Sequence, residues 1–190
     1  NVEVNDPNGE LYAEGMFQHQ DENSIFNFTA NVQHFRPDSL NLTNQFESPE
    51  ISFSLNADFT GNTIDNIEGS VRVDSLSFQT TPSSFFLKKL EVTANGYSDN
   101  RHLTIQSDIL NGEVSGAYSF TTIVPSIMNT MKEYLPALIY FTQKPCPVKE
   151  NNFSLLLTIE ITEALTQTLK PPIALVTQGR MSGHYNSRYN

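Results

Sequence analysis

Apolar and polar residues alternate along most of this chain, and that period of two is the signature of β-strands. The clearest run is Ile51, Phe53, Leu55, Ala57 and Phe59, interleaved with Ser52, Ser54, Asn56 and Asp58. One side of such a strand is apolar and the other wet, as in an antiparallel sheet solvated on one face. Phe153, Leu155, Leu157, Ile159 and Ile161 repeat the pattern, with Leu156 intruding on the polar side. Phe26, Phe28, Ala30 and Val32 form a third run. Val71 and Val73 are followed by Leu76 and Phe78 after a slip of one residue at Asp74-Ser75, which predicts a β-bulge. Further runs are Leu90 to Ala94, Leu103 to Ser107, and Val114 through Tyr118 to Phe120.

Turn chemistry separates the runs. Asp6-Pro7-Asn8-Gly9 has proline to set φ and Asn-Gly to accept positive φ. Arg36-Pro37-Asp38, Gly61-Asn62, Asn95-Gly96 and Asn111-Gly112 are similar. The spacing suits a meander of long strands.

The period changes once. Between 122 and 141 the apolar residues Ile123, Val124, Ile127, Met128, Met131, Tyr134, Leu135, Leu138 and Ile139 fall three and four apart. That is an amphipathic helix. Thr121 or Thr122 is placed to cap it, Pro125 falls in its first turn, and Pro136 ends or kinks it. A shorter helix is predicted near 163–169, stopped by Pro171-Pro172.

A loose strand motif recurs: Gly9 to Phe17, Gly112 to Tyr118 and Gln178 to Tyr185. Glycine, a hydrophobic residue, a second glycine and then an aromatic is the shared form, and repetition of this kind suits an elongated β architecture. The fold expected is therefore mainly β: long antiparallel strands in a curved or groove-like sheet, or a sandwich, with helices near 122–141 and 163–169. The chain reads as one β-rich segment over 1–190. Its sheet spans 1–121, the helix 122–141, and 150–190 begins a further strand-helix-strand repeat.

Composition narrows the function. The 190 residues carry a net charge of −10, and the lysines and arginines cluster no further than Lys88-Lys89. Nothing there neutralises a phosphate backbone, so no nucleic-acid partner is expected. Charged residues are 17% and hydrophobic ones 38%, with 13 Phe and 7 Tyr, so packed or half-packed β surface is expected rather than a disordered chain. Residue 1 is Asn, and no charged and apolar leader opens the sequence. The apolar stretch from Tyr134 to Phe141 carries Pro136 and falls well short of the ~20 residues of a membrane helix. A piece of a longer precursor is expected.

Candidate chemistry is sparse. His19, His34, His102 and His184 lack metal-ligand spacing. Cys146 lies between two prolines, near Lys144 and Lys149, without a histidine close in sequence. The carboxylates are scattered, and no pair is singled out for glycosidic chemistry. No nucleophile elbow or phosphate loop is present. The expectation is a protein that is not an enzyme, has no cofactor and binds no metal. Three Asn-x-Ser/Thr triplets, beginning at Asn27, Asn41 and Asn152, are expected by chance in a chain so rich in these residues.

Several stretches resemble one family. They are Asp6-Pro7-Asn8-Gly9-Glu10-Leu11, then Asp65-Asn66-Ile67-Glu68-Gly69-Ser70-Val71 after Gly61-Asn62. Ser107 to Tyr118 follows, and then the helix that ends Glu133-Tyr134-Leu135-Pro136. Together they are similar to the TamB-like, AsmA-related translocation and assembly module proteins of the Bacteroidetes type, over Asp6 to about Pro172. The resemblance rests on pattern and wording and not on a catalytic signature. It implies an internal segment of a periplasm-spanning envelope protein, anchored at the inner membrane by its full-length chain. Such proteins fold into a curved sheet with an apolar interior and serve outer-membrane biogenesis, through phospholipid transport, outer-membrane protein assembly or both. The implied partners are a phospholipid or other acyl-chain ligand and, through the full-length chain, an outer-membrane barrel protein. The helix at 122–141 would be an insertion on the groove.

The residues expected to line that groove are Phe26, Phe28, Phe53, Leu55, Phe59, Leu155 and Leu157. Alternation alone also allows the same residues to fill an ordinary sandwich core. That alternative makes the chain a closed β-sandwich adhesion or glycan-binding module, with Tyr97, Tyr185 or Tyr189 stacking on sugars.

Overall fold

The computed structural model describes residues 1–19, 23–97, 99–123, 125–126, 151–160, 166–168 and 178–187. Ten strands form a single antiparallel sheet: β1 (Val2–Asp6), β2 (Gly9–Gln18), β3 (Ile25–Phe35), β4 (Glu50–Thr60), β5 (Glu68–Gln79), β6 (Ser84–Asn95), β7 (Arg101–Ser107), β8 (Leu110–Ala117), β9 (Asn152–Glu160) and β10 (Gln178–Asn186). Their order in space is their order in sequence. Each strand pairs with the next, β1 and β10 are the two edges, and the sheet does not close on itself. Among the described residues there is no second sheet.

The expected meander is present, and its turns behave as the residues predict. The Asp6 carboxylate accepts the Asn8 amide at 2.8 Å and its side-chain amide at 3.0 Å. This holds the two-residue turn between β1 and β2. The predicted bulge is also present. Ser52 faces Ser77 while Ser54 faces Asp74, so β5 carries one extra residue, and Ser75 takes a φ of +54°. A second bulge was not read from the alternation. Val32 faces Phe53 and Phe35 faces Ile51, leaving His34 extra in β3 with a φ of +51°. Both neighbours of β4 therefore gain a residue at the height of Ser52-Phe53. Bulges sharpen local twist, and two at one height bend the sheet at that level.

Two local expectations are corrected. The run Val114 to Phe120 does not stay extended: β8 stops at Ala117 and helix begins at 120. The Ser119 carbonyl accepts the Ile123 amide at 2.9 Å, so the helix starts ahead of Thr121 and Thr122, and neither is its cap. The carboxylate of Asp65, in a 3-10 turn at Ile64–Asn66, takes the Thr121 amide at 3.1 Å and its hydroxyl at 2.9 Å. A carboxylate from a distant turn thus caps the helix start, where exposed amides and the helix dipole favour negative charge. Pro125 is the sixth residue from that start and lies beyond the first turn. Residues 127–150 lie outside the described residues, and most of the helix expected at 122–141 lies there, together with Pro136 and Cys146. Of the short helix near 163–169, residues 166–168 are helical. The segment from 150 adds β9 and β10 to the same sheet.

Ala57, Phe78, Leu87 and Ala94 are buried singly along the sheet, and one cluster of buried side chains forms at the β8–β9 end. Val114, Tyr118, Ile123 and Phe153 form the closed core, backed by Leu103, Phe120, Leu155 and Tyr185. Phe153 is 1% exposed. Its ring stacks on Tyr185 at 5.2 Å and meets Tyr118 edge-on at 5.9 Å. Asn151, also 1% exposed, closes the same end. Its Nδ2 donates to Thr122 Oγ1 at 3.0 Å and to Ser126 Oγ at 2.8 Å, while its Oδ1 accepts the Ser119 amide at 3.3 Å. Its backbone exchanges bonds with Ser187. A buried amide so fully bonded ties the helix start to the ends of β9 and β10. Arg101 joins this end to the 3-10 turn, donating to the Asp65 carbonyl and lying 5.2 Å over the Phe120 ring.

Candidate functional site

Residues directly opposite in an antiparallel sheet share a face, so the register shows which side chains meet. Phe17, Phe26, Phe59, Gly69, Ala94, Leu103, Val114, Leu155 and Gly183 form one unbroken cross-strand row from β2 to β10. The next row on the same face runs Gly15, Phe28, Ala57, Val71, Val92, Ile105, Gly112, Leu157 and Met181. Val4, Leu11, Val32 and Phe53 form a third, shorter row at the β1 side. The opposite face carries Asn27, Thr29, Asn31, Ser54, Asn56, Asp58, Arg72, Thr93, Thr104, Glu113 and Ser154 on the same strands. One side of the sheet is apolar across ten strands, roughly 45 Å at the usual strand spacing.

All seven residues expected to line a groove lie on that apolar face. Phe26, Phe28, Phe53, Leu55 and Phe59 are neighbours on β3 and β4, with Phe26 and Phe59 stacked at 4.8 Å. Leu155 and Leu157 lie five strands away in the same two long rows. None of the seven is fully buried; each is half-buried. Phe17, on the same face, is 62% exposed and extends the aromatic ladder to β2, its ring 4.9 Å from Phe26.

Sequence reading missed the part played by the glycines. Gly15 faces Phe28, Gly69 faces Phe59 and Gly116 faces Phe153. At each, an added Cβ would run into the backbone of the facing strand. A phenylalanine opposite a glycine covers backbone that has no side chain of its own. The signal was present in the recurring glycine-aromatic motif, but the partner stands across the strand pair and not two residues on.

The face deepens at the β1 side. A cleft of about 450 Å³ is lined by Val4, Leu11, Val32, Phe35, Leu40 and Phe53, with Asp6 and Glu10 at its margin. This volume falls within the range of small-molecule sites, roughly 300–1,000 Å³. Leu40 belongs to the connection between β3 and β4, and Phe35 and Phe53 flank the His34 bulge. Apart from that margin the cleft offers almost no polar atom.

The side chains His34, Tyr118 and Asp108, whose titration is shifted, are not among the residues lining this cleft. His34 lies 2.8 Å from Glu50, which holds its pKa above the ordinary histidine value. Burial pushes the Tyr118 hydroxyl up to about 12. The Asp108 carboxyl is lowered chiefly because the Lys88 and Lys89 amides donate to it, at 2.9 and 3.2 Å. Among the described residues no group of three histidine, cysteine or acidic side chains converges as metal ligands. Nor is any helix there long and apolar enough to cross a membrane. Of the tyrosines proposed for sugar stacking, Tyr97 is exposed near the β6–β7 turn. Tyr185 is packed on Phe153, and Tyr189 lies outside the described residues.

Comparison with family models, with curated proteins and with solved structures finds no match to the chain. The functional reading therefore rests on the sheet itself and on the resemblance carried by the sequence stretches above.

Proposed function

We propose that this chain is a non-catalytic segment of a cell-envelope protein whose apolar sheet face receives acyl chains. The wider role is outer-membrane biogenesis, through phospholipid transport, outer-membrane protein assembly or both. A periplasmic setting, an inner-membrane anchor on the full-length chain and a barrel partner come with the resemblance to TamB-like proteins. One observation carries the reading. The apolar rows run without interruption across the sheet, yet Phe26, Phe28, Phe53, Leu55, Phe59, Leu155 and Leu157 are only half-buried. An apolar surface of that extent usually marks a binding site. An acyl chain suits it, because each CH₂ removed from water contributes roughly 0.8 kcal/mol and needs no polar partner.

The test is organic extraction of purified protein followed by mass spectrometry. The reading expects stoichiometric phospholipid or fatty acid in the wild-type protein. It expects near-background lipid in Phe53→Asp, with the far-UV β spectrum retained. A folded, lipid-free wild-type protein overturns the reading, and so does a folded Phe53→Asp variant with undiminished lipid.

A further inference from the structure

We infer that the two edges of this sheet are complementary, so that β10 of one copy adds to β1 of a second copy and extends the apolar face from molecule to molecule. The inference does not depend on what the face binds. It starts from which backbone groups at the two edges have no partner among the described residues. The Ser187 amide donates to the Asn151 carbonyl at 2.9 Å, in the register of the β9–β10 pair. Hydrogen bonding alternates along an antiparallel strand. Gly183 and Met181 therefore bond inward to β9, and Arg180, Ser182 and His184 turn their amides and carbonyls outward. At the other edge, the two-residue turn makes Asp6 and Gly9 a bonded pair. Val4 and Val2 then bond inward to β2, and Glu3 and Asn5 point outward.

This parity allows the join. Outward residues pair with outward residues, and on both edges those residues carry their side chains on the polar face. Arg180 and His184 share it with Thr158 and Ser154, and Glu3 shares it with Tyr12.

Charge selects the register and the partner. Glu3 is the outward acidic residue of β1, with Glu10 and Glu14 behind it on β2. Arg180 and His184 are the outward basic residues of β10. Setting Glu3 opposite Arg180 places Asn5 opposite Gln178 and Val2 opposite Met181. Val2 and Met181 are 55% and 41% exposed, so the same register covers apolar surface at both edges. Pairing β1 with β1 would bring acidic edges together, and pairing β10 with β10 would bring basic ones together. The contact is heterologous, so it repeats in an open chain of copies and does not stop at a symmetric dimer.

Sedimentation velocity over micromolar to millimolar protein at low salt tests this. A weight-average mass that climbs past two copies with concentration is expected. Glu3→Arg alone and Arg180→Glu alone should each stay monomeric. Their equimolar mixture should assemble again, since each supplies the edge that fits the other. Both side chains are exposed, and a far-UV spectrum confirms that the variants fold. A wild-type protein that stays monomeric, or stops at two copies, overturns the inference. So does assembly untouched by either reversal, or a mixture that does not recover. Absence of bound lipid would count against the groove and leave this contact standing.

Discussion

Truncating Phe153 and truncating Phe28 should have unequal costs, although both are phenylalanines facing a glycine across a strand pair. Phe153 is 1% exposed and packs between Tyr118 and Tyr185. Phe153→Ala removes a buried ring and leaves a cavity, which costs about 3–5 kcal/mol in well-packed cores. Phe28 is half-buried on the open face and touches Phe59 edge-on at 6.3 Å. Phe28→Ala loses part of the transfer free energy and leaves no closed cavity, so about 1–2 kcal/mol is expected. The assay is equilibrium urea unfolding of delipidated protein, since a bound ligand would stabilise the folded state and blur the comparison. With a denaturant slope of about 2 kcal/mol per molar, Phe153→Ala should lower the midpoint by about 2 M and Phe28→Ala by less than about 1 M. Equal shifts, or a larger one for Phe28, would show that the apolar face is sealed as tightly as the core and would refute the half-open reading.

Four further outcomes follow from the geometry. Gly69 has a φ of +134° and lies against the Asp58 carbonyl, so Gly69→Ala should cost about 1–3 kcal/mol and lower Tm by several degrees, measured by calorimetry. Asn151→Leu leaves the Ser119 amide and the Ser126 hydroxyl without their partner, so a loss of at least about 1–3 kcal/mol is expected in the same urea assay. Asp108 has a folded pKa below its ordinary 3.8, so its contribution is present above about pH 4 and fades as pH falls through the lowered value. Asp108→Asn should flatten that acid limb of the stability profile. His34 runs the other way. Its raised pKa stabilises below about 6.5 and is lost as pH rises through the folded value, and Glu50→Gln should return its NMR titration towards the ordinary midpoint.

Alternation by itself determined a great deal here. It marked the strands, assigned Phe26, Phe28, Phe53, Leu55, Phe59, Leu155 and Leu157 to apolar faces, and located the bulge at Ser75, because side-chain direction in a strand is a local property with a period of two. Turn residues such as Asp6-Pro7-Asn8-Gly9 act just as locally. The rest depended on partners far apart in sequence. That all ten strands join in order into one unclosed sheet follows from pairings, and alternation names a face without naming what covers it. The bulge at His34 shows only when Phe35 is found opposite Ile51. The glycine-phenylalanine pairs exist only across strands. The closed core needs Phe153 brought to Tyr118 and Ile123. Asn151, Arg101 and Asp65 read in the sequence as unremarkable loop or strand residues, and became the clamp of one sheet end through contacts 25 to 56 residues apart. Local chemistry decides what each strand presents to its two sides, and only the tertiary structure decides which of those sides is sealed and which is left half-open.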